Sequence, residues 1–208
     1  MKALVILVAS YILGSVPFGL IICKLWKGID IRTYGSGNIG ATNVMRSAGK
    51  GPAIVVFLAD VLKGLVVVLA AKHFVPILGW LPVIAGMLAI VGHSASVFLR
   101  FSGGKGVATS LGVVIGLDWR VAAIGFGLWV VTVVATRYVS VASILASASV
   151  PVFMFVFQQH ISYKLFALLA ASFVIVRHHS NIKRLTQGKE PKWGDKVRIL
   201  EDRNDKGR

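Results

Sequence analysis

The sequence predicts an all-α polytopic membrane protein with seven transmembrane helices. Of its 208 residues, 56% are hydrophobic and only 15% are charged, whereas a soluble domain carries roughly a quarter charged residues. The charges are also segregated, because long apolar runs alternate with shorter polar segments. A run of about 20 apolar residues is long enough to cross the hydrocarbon core as a helix. These two observations together predict membrane spans.

The predicted spans follow seven apolar runs in order along the chain. We interpret the first run as a retained helix, because it is longer than a signal-peptide core and no Ala-x-Ala site follows it. The fourth run has only 11 residues, which favours either a half-span shielded by protein or a helix extended into the preceding loop. Only residues 118–120 separate the fourth run from the fifth, so one broken hairpin is an alternative. The runs cover residues 3–23, 52–71, 81–99, 107–117, 121–136, 139–158 and 163–176.

Lysine and arginine are distributed unequally between the two sides of the predicted bundle. The segments after odd-numbered runs, including the C-terminal segment, hold 18 of the 23 cations, the opposite side holds 4, and Lys63 lies within a run. The positive-inside rule then predicts an N-terminus outside and a C-terminus in the cytoplasm. Cations that flank apolar runs suit membrane lipids and argue against nucleic acid as a partner. We expect one membrane domain over residues 1–195 and a charged, loosely ordered cytoplasmic tail over residues 196–208.

The segment after the first run combines glycines, neutral hydrogen-bond donors and a cation. Closely spaced glycines permit positive φ and close approach of the backbone to a ligand, and exposed backbone N–H groups beside a cation bind oxyanions, above all phosphate. The alternative is a polar surface loop with an ordinary helix cap. No strand precedes the segment, so it is not a dinucleotide fingerprint. Its residues of interest are Gly35, Ser36, Gly37, Asn38, Thr42, Asn43 and Arg46.

A second glycine-rich segment follows the third run and contains Lys105. Gly103, Gly104 and Gly106 surround this lysine, which predicts a phosphate cradle with a point charge. The segment is not a P-loop, because Gly106 stands where Ser or Thr would follow the lysine. The alternative is a flexible hinge whose lysine extends to the membrane interface.

The segment after the seventh run places His178, Asn181 and Arg184 at helical spacing. The alternative is a basic helix end that suits the helix dipole and anionic lipids. Within the second run, Asp60 and Lys63 are spaced to pair with each other, either as a functional site or as a structural brace. Ser143 lies near the cytoplasmic end of its run and is therefore able to reach a substrate there. The three polar segments follow the first, third and seventh runs, so the predicted topology puts all three on one side of the membrane.

Three segments resemble the signature motifs of a known enzyme family. They are Gly-Ser-Gly-Asn-Ile-Gly-Ala-Thr-Asn-x-x-Arg over 35–46, Gly-Gly-Lys-Gly-Val-Ala-Thr over 103–109 and His-x-x-Asn-Ile-x-Arg-Leu-x-x-Gly-x-Glu over 178–190. This pattern resembles the bacterial acyl-phosphate-dependent glycerol-3-phosphate acyltransferases of the PlsY type. The resemblance spans almost the whole chain and includes Asp60-x-x-Lys63-Gly64.

The resemblance implies an inner-membrane enzyme of phospholipid biosynthesis with a cytoplasmic active site and no cofactor or metal. Such an enzyme transfers a fatty acyl group from acyl phosphate to the 1-hydroxyl of sn-glycerol 3-phosphate and releases lysophosphatidate and phosphate. It leaves open whether an enzyme that produces acyl phosphate is a transient partner. The implied catalytic residues are Ser36, Lys105, His178 and Asn181. The implied substrate-binding residues are Gly35, Gly37, Asn38, Thr42, Asn43, Arg46, Gly103, Gly104, Gly106, Ser143 and Arg184, and Asp60 and Lys63 are supporting residues.

Two other functions would use similar chemistry. A transporter of a phosphorylated solute would also place cationic glycine-rich loops near broken helices, but it predicts polar residues that continue to the far side, where this sequence has few. A membrane phosphatase would release phosphate without needing an acyl acceptor.

Overall fold

The computed structural model describes residues 1–195, which form ten α-helices and two short 3₁₀ turns and contain no β-strand. The predicted tail over residues 196–208 lies outside the described residues. The helices are α1 (Lys2–Ser15), α2 (Phe18–Lys27), α3 (Ala41–Ser47), α4 (Lys50–Phe74), α5 (Leu81–Ser94), α6 (Val107–Leu117), α7 (Trp119–Thr136), α8 (Val139–Val156), α9 (Ile161–Arg177) and α10 (His179–Thr186). The 3₁₀ turns cover Ile31–Thr33 and Val97–Leu99.

Each of the seven apolar runs is helical, which confirms the all-α fold class. Three helices, α4, α7 and α8, are individually long and apolar enough to cross a membrane, and two bent helix pairs raise that number to five. The helices α5 and α6 are apolar but shorter, at 14 and 11 residues. The short fourth run is therefore a separate helix, which begins only after Gly106 and does not extend into the preceding loop.

Two predicted runs differ from the observed helices. The first run is not one continuous helix, because α1 and α2 meet at a bend of 40°. Pro17 has no backbone N–H and cannot continue the helical ladder at this position. The third run was predicted to reach residue 99, but α5 ends at Ser94, and the chain then turns back through Val97–Leu99. The turn gives the second glycine-rich segment its place beside the end of α5.

Glycine contacts bring α4 and α6 unusually close together. A side chain at Gly112 of α6 would place its Cβ 1.9 Å from the carbonyl oxygen of Val61, and one at Gly64 of α4 would lie 2.2 Å from that of Thr109. Small residues that allow such backbone approach are typical of helix contacts in membranes. This packing fixes the N-terminal end of α6, and the loop before it, against the buried charges of α4.

Candidate active site

The three polar segments line one cavity of about 600 Å³. Most of the predicted site residues contribute to its wall, namely Gly35, Ser36, Asn38, Thr42, Asn43, Arg46, Asp60, Lys105, Gly106, Ser143, His178, Asn181 and Arg184. Four predicted residues do not line it: Gly37, Gly103, Gly104 and Lys63. The structure thus brings together side chains that are up to 149 positions apart in the sequence (Gly35 to Arg184).

A chain of short hydrogen bonds connects the second and third polar segments. The Nζ atom of Lys105 donates to Oδ1 of Asn181 at 2.5 Å. The Nδ2 atom of Asn181 in turn donates to Oε1 of Glu190 at 2.6 Å, and Nε of Arg184 donates to Oε2 of the same carboxylate at 2.7 Å. The amide of Asn181 therefore links Lys105 at its oxygen to Glu190 at its nitrogen.

Glu190 is a central residue of the site for which we predicted no role, although it ends the third signature segment. Its side chain is buried, and burial opposes its ionisation, yet hydrogen bonds from Asn181 and Arg184 hold the pKa of the carboxyl below its usual value. A buried glutamate is normally paired, and here its partners are Asn181, a predicted catalytic residue, and Arg184, a predicted substrate-binding residue. The sequence signal that could have indicated a role for Glu190 is its position at the end of the third signature segment.

The site carries more positive than negative charge. Burial, together with the nearby charges of Arg184, Arg46 and Arg177, lowers the pKa of Lys105 from 10.5 to about 8, although Glu190 partly offsets these effects. Lys105 and the three arginines thus outnumber the nearby carboxylate of Glu190. A bound anion such as phosphate would balance this excess of positive charge.

Two arginines support the loops through main-chain contacts. The Nη2 atom of Arg46 donates to the carbonyl oxygen of Pro191 at 3.0 Å, which ties α3 to the segment after Glu190. The Nη2 atom of Arg177 donates to the carbonyl oxygen of Gly104 at 3.1 Å. We did not predict a role for Arg177, because a cation in the last turn of a helix is ordinarily explained by the helix dipole.

Asn43 shapes the first polar loop. Its Oδ1 atom accepts the backbone N–H of Ser36 at 3.0 Å, and its Nδ2 atom donates to the carbonyl oxygens of Asn38 at 2.8 Å and Tyr34 at 3.0 Å. The loop contains left-handed backbone at Gly35, where φ is +61°. The amide of Asn43 is therefore committed to the loop that carries Ser36 and Asn38.

His178 has a defined tautomer. Its Nδ1 atom lies 2.7 Å from the carbonyl oxygen of Val174, and because a carbonyl only accepts, Nδ1 must carry the proton. This leaves Nε2 as the accepting nitrogen of the neutral ring. Ser143 donates its hydroxyl to the carbonyl oxygen of Val139 at 2.8 Å and accepts from Nε1 of Trp129 at 3.2 Å.

Asp60 and Lys63 form the ion pair that their spacing predicts. The Nζ atom of Lys63 lies 2.8 Å from Oδ1 of Asp60, and both side chains are almost fully buried. The same Nζ atom lies 2.9 Å from Nδ1 of His93 and donates to the carbonyl oxygen of Val16 at 3.2 Å, at the bend between α1 and α2. His93, which is not among the predicted site residues, joins this pair and lines the cavity.

Beyond the cationic end, the cavity wall is apolar. The lining follows α9 from Ala167 to His178, the residue directly after the helix, over 11 residue steps. At 1.5 Å per step this is about 16 Å, which is close to half of a hydrocarbon core of roughly 30 Å. Ile54 and Phe126 also line the cavity and remain 54% and 42% exposed, so its apolar flank opens sideways. The main apolar lining residues are Leu111, Val114, Ala122, Phe126, Ala146, Val150, Ala167, Ala170, Ala171 and Val174.

A family model described as glycerol-3-phosphate acyltransferase matches residues 4–188. The chain belongs to the glycerol-3-phosphate acyltransferase family. Curated glycerol-3-phosphate acyltransferases include one from a Synechococcus species that is 46% identical, with 94% of this chain and 97% of the relative covered. Another, from Desulforamulus reducens, is 43% identical, with 92% and 95% covered.

Two solved structures extend the similarity to the fold. Both are of PlsY (YgiH), an integral membrane glycerol 3-phosphate acyltransferase. The glycerol 3-phosphate form gives a TM-score of 0.89 at 42% identity, and the lysophosphatidic acid form gives 0.88 at 41%. Each comparison covers 93% of this chain and 96% of the other. This acyltransferase is therefore an integral membrane enzyme, and its family places it in phospholipid biosynthesis.

Proposed function

We propose that this enzyme transfers a fatty acyl group from acyl phosphate to the 1-hydroxyl of sn-glycerol 3-phosphate and releases lysophosphatidate and inorganic phosphate. One observation carries the proposal: a single cavity has a cationic end at the polar loops and an apolar remainder along α6 to α9. The acyl donor and the acyl product each have one phosphoryl group and one long hydrocarbon chain. The similar PlsY structures contain glycerol 3-phosphate and lysophosphatidic acid, which supports the same acceptor and product here.

The phosphoryl groups of both substrates belong at the cationic end. In our assignment, Lys105 binds the phosphate of the acyl donor, together with Ser36, Asn38 and the glycine-rich backbone of the first loop. Arg46, Arg184 and Ser143 bind glycerol 3-phosphate, and Asn43 keeps the first loop in shape. The acyl chain lies against the apolar lining of α8 and α9, which keeps it out of water as the bilayer does.

The reaction needs positioning and charge stabilisation more than an enzyme nucleophile. The hydroxyl oxygen of glycerol 3-phosphate forms a bond with the acyl carbon, the bond from that carbon to the phosphate oxygen breaks, and phosphate leaves with the electron pair. Lys105 stabilises the negative charge that develops on the departing oxygen. The hydroxyl proton has two acceptors available, the departing phosphate and Nε2 of His178. Within residues 1–195, no serine or cysteine is hydrogen-bonded to His178, which favours direct transfer over an acyl-enzyme.

We further propose seven membrane spans in one domain over residues 1–195, with the N-terminus outside and the site at the cytoplasmic face of the inner membrane. The charge asymmetry of 18 cations against 4 supports this orientation. Labelling single cysteines at Ser36, Lys105 and Asn181 in right-side-out and inverted vesicles tests it, after Cys23 is replaced. Labels that reach these positions from opposite compartments would refute the arrangement.

One assay separates the proposed reaction from its rivals. Purified protein in detergent receives acyl phosphate with and without glycerol 3-phosphate, and lysophosphatidate and phosphate are measured, with acyl-CoA as a control donor. We expect both products only when acyl phosphate and glycerol 3-phosphate are present together. Phosphate release without the acceptor would instead indicate a phosphatase. Uptake of glycerol 3-phosphate into proteoliposomes without ester formation would indicate a transporter.

A further inference from the structure

The buried ion pair of α4 ends on a histidine that the proposed chemistry does not use. Lys63 has three partners at its Nζ atom: Asp60, the carbonyl oxygen of Val16, and Nδ1 of His93. His93 is only 4% exposed. The same Nδ1 atom lies 3.5 Å from Oδ1 of Asp60, so both members of the ion pair contact this edge of the ring.

The Nε2 edge of His93 faces the second glycine-rich segment. A side chain at Gly104 would place its Cβ 2.0 Å from Nε2, 2.8 Å from Cε1 and 2.9 Å from Cδ2 of His93. One at Gly103 would lie 2.2 Å from the carbonyl oxygen of the same histidine. That carbonyl also accepts the backbone N–H of Gly104 at 3.0 Å. Gly104 therefore packs against the ring of His93, and both glycines contact its main-chain carbonyl.

Neither Gly103 nor Gly104 lines the cavity, whereas the next residue, Lys105, does. The absence of side chains at these two positions is explained by their contact with His93 and needs no direct contact with phosphate. Because Lys105 follows immediately, any displacement of Gly104 moves the backbone from which the Lys105 side chain reaches Asn181.

We propose that His93 is a positioning residue for the acyl transfer: held by the Asp60–Lys63 pair, it fixes the backbone at Gly104 and thereby the place of Lys105. The buried ion pair thus serves the site, although Lys63 itself does not line the cavity. Gly104 is needed because it leaves room for the imidazole ring.

The test reduces the side chain at His93 and adds one at Gly104, separately and together. His93→Asn keeps an acceptor for Lys63 but removes the ring atoms that lie 2.0 and 2.8 Å from a Cβ at Gly104. We expect His93→Asn and Gly104→Ala each to lower kcat/KM about tenfold to hundredfold, since a misplacement of about 1 Å can cost that much. The double variant should be about tenfold more active than Gly104→Ala alone, a coupling typical of residues in contact. His73→Asn, at an exposed histidine, is the matched control and should retain activity.

Two results would overturn the proposal. One is a folded His93→Asn variant with wild-type kcat/KM, and the other is a double variant no more active than Gly104→Ala alone. Because acyl transfer is the readout, the test rests on the proposed function, so wild-type protein is assayed first. Failure of the wild type with acyl phosphate and glycerol 3-phosphate counts against the proposed function alone.

The pH profile of Gly104→Ala decides the question if His93→Asn does not accumulate as folded protein. Lys105 titrates among Arg46, Arg177, Arg184 and Glu190. Displacing Lys105 from this cluster should raise its pKa, so kcat/KM of the Gly104→Ala variant should begin to decline at a pH higher than about 8. An unchanged limb with reduced activity would mean that Gly104 contacts substrate directly, and it would refute the positioning role.

Discussion

Replacing Lys105 by methionine should abolish most of the activity without weakening the fold. The pKa of this lysine falls from 10.5 to about 8, a shift that corresponds to about 3 kcal/mol at 1.36 kcal/mol per unit. That free energy is the cost of keeping the ammonium charged when it is buried and close to other cations, and a bound phosphate offsets it. Loss of this contribution should lower kcat/KM by roughly two orders of magnitude. Because the substitution also removes repulsion from Arg184 and Arg46, the Tm should not fall.

The assay measures kcat/KM for glycerol 3-phosphate with acyl phosphate in detergent, alongside thermal unfolding of the same preparation. Lys50→Met is the matched control, since it removes the same charge from an exposed lysine outside the cavity. A Lys105→Met variant within about threefold of wild type would refute the role of this charge in the transition state. A similar loss in Lys50→Met, or a Tm that falls in parallel with activity, would refute the reasoning equally.

Three further predictions follow from the same contacts. The lowered pKa of Lys105 means that its charge is present below about pH 8 and lost above it, so kcat/KM should decline above about pH 8. Lys105→Arg should remove that decline from the measured pH range, because arginine stays charged. The same decline in the variant would contradict the assignment. Asn43→Ala should lower the free energy of unfolding by about 2–4 kcal/mol, because three main-chain groups of the first loop lose their partner; chemical or thermal unfolding in detergent measures it, and an unchanged midpoint would show that the loop holds itself. Ala146→Phe should fill part of the apolar end of the cavity and reduce activity more for long than for short acyl donors. Ala148→Phe, on the exposed side of the same helix, should not have this effect. Equal effects of the two variants would place the acyl chain elsewhere.

The helices could be predicted because apolar runs leave few alternatives in a bilayer, where every backbone group must be hydrogen-bonded within the protein. The pairing of Asp60 with Lys63 was equally accessible, since residues three apart share a helix face. The bend at Pro17 was not predicted, because the flanking residues are as apolar as those of a continuous span. A run of apolar residues indicates that the segment lies in the membrane, but it does not show whether the helix is straight or bent.

The site was less accessible to prediction where its contacts are long-range. The segments that contain Ser36, Lys105 and Asn181 could be found because unusual polar residues stand beside apolar runs. The contact of His93 with Gly104 could not, because it depends on a chain reversal after α5 that brings this glycine against the imidazole. A glycine that leaves room for a neighbouring side chain and one that leaves room for phosphate look the same in composition.

The sideways opening past Ile54 and Phe126 has a consequence for how the enzyme is supplied. In the proposed reaction, glycerol 3-phosphate is water-soluble and arrives by diffusion from the aqueous compartment, but the long-chain donor is already dissolved in the bilayer. Its effective concentration is then a mole fraction among lipids, so diluting the membrane with inert phospholipid slows turnover even when the bulk amount of donor is unchanged. The single-chain ester formed in the reaction can leave by the same flank, and it enters the membrane directly as the starting material for further lipid assembly.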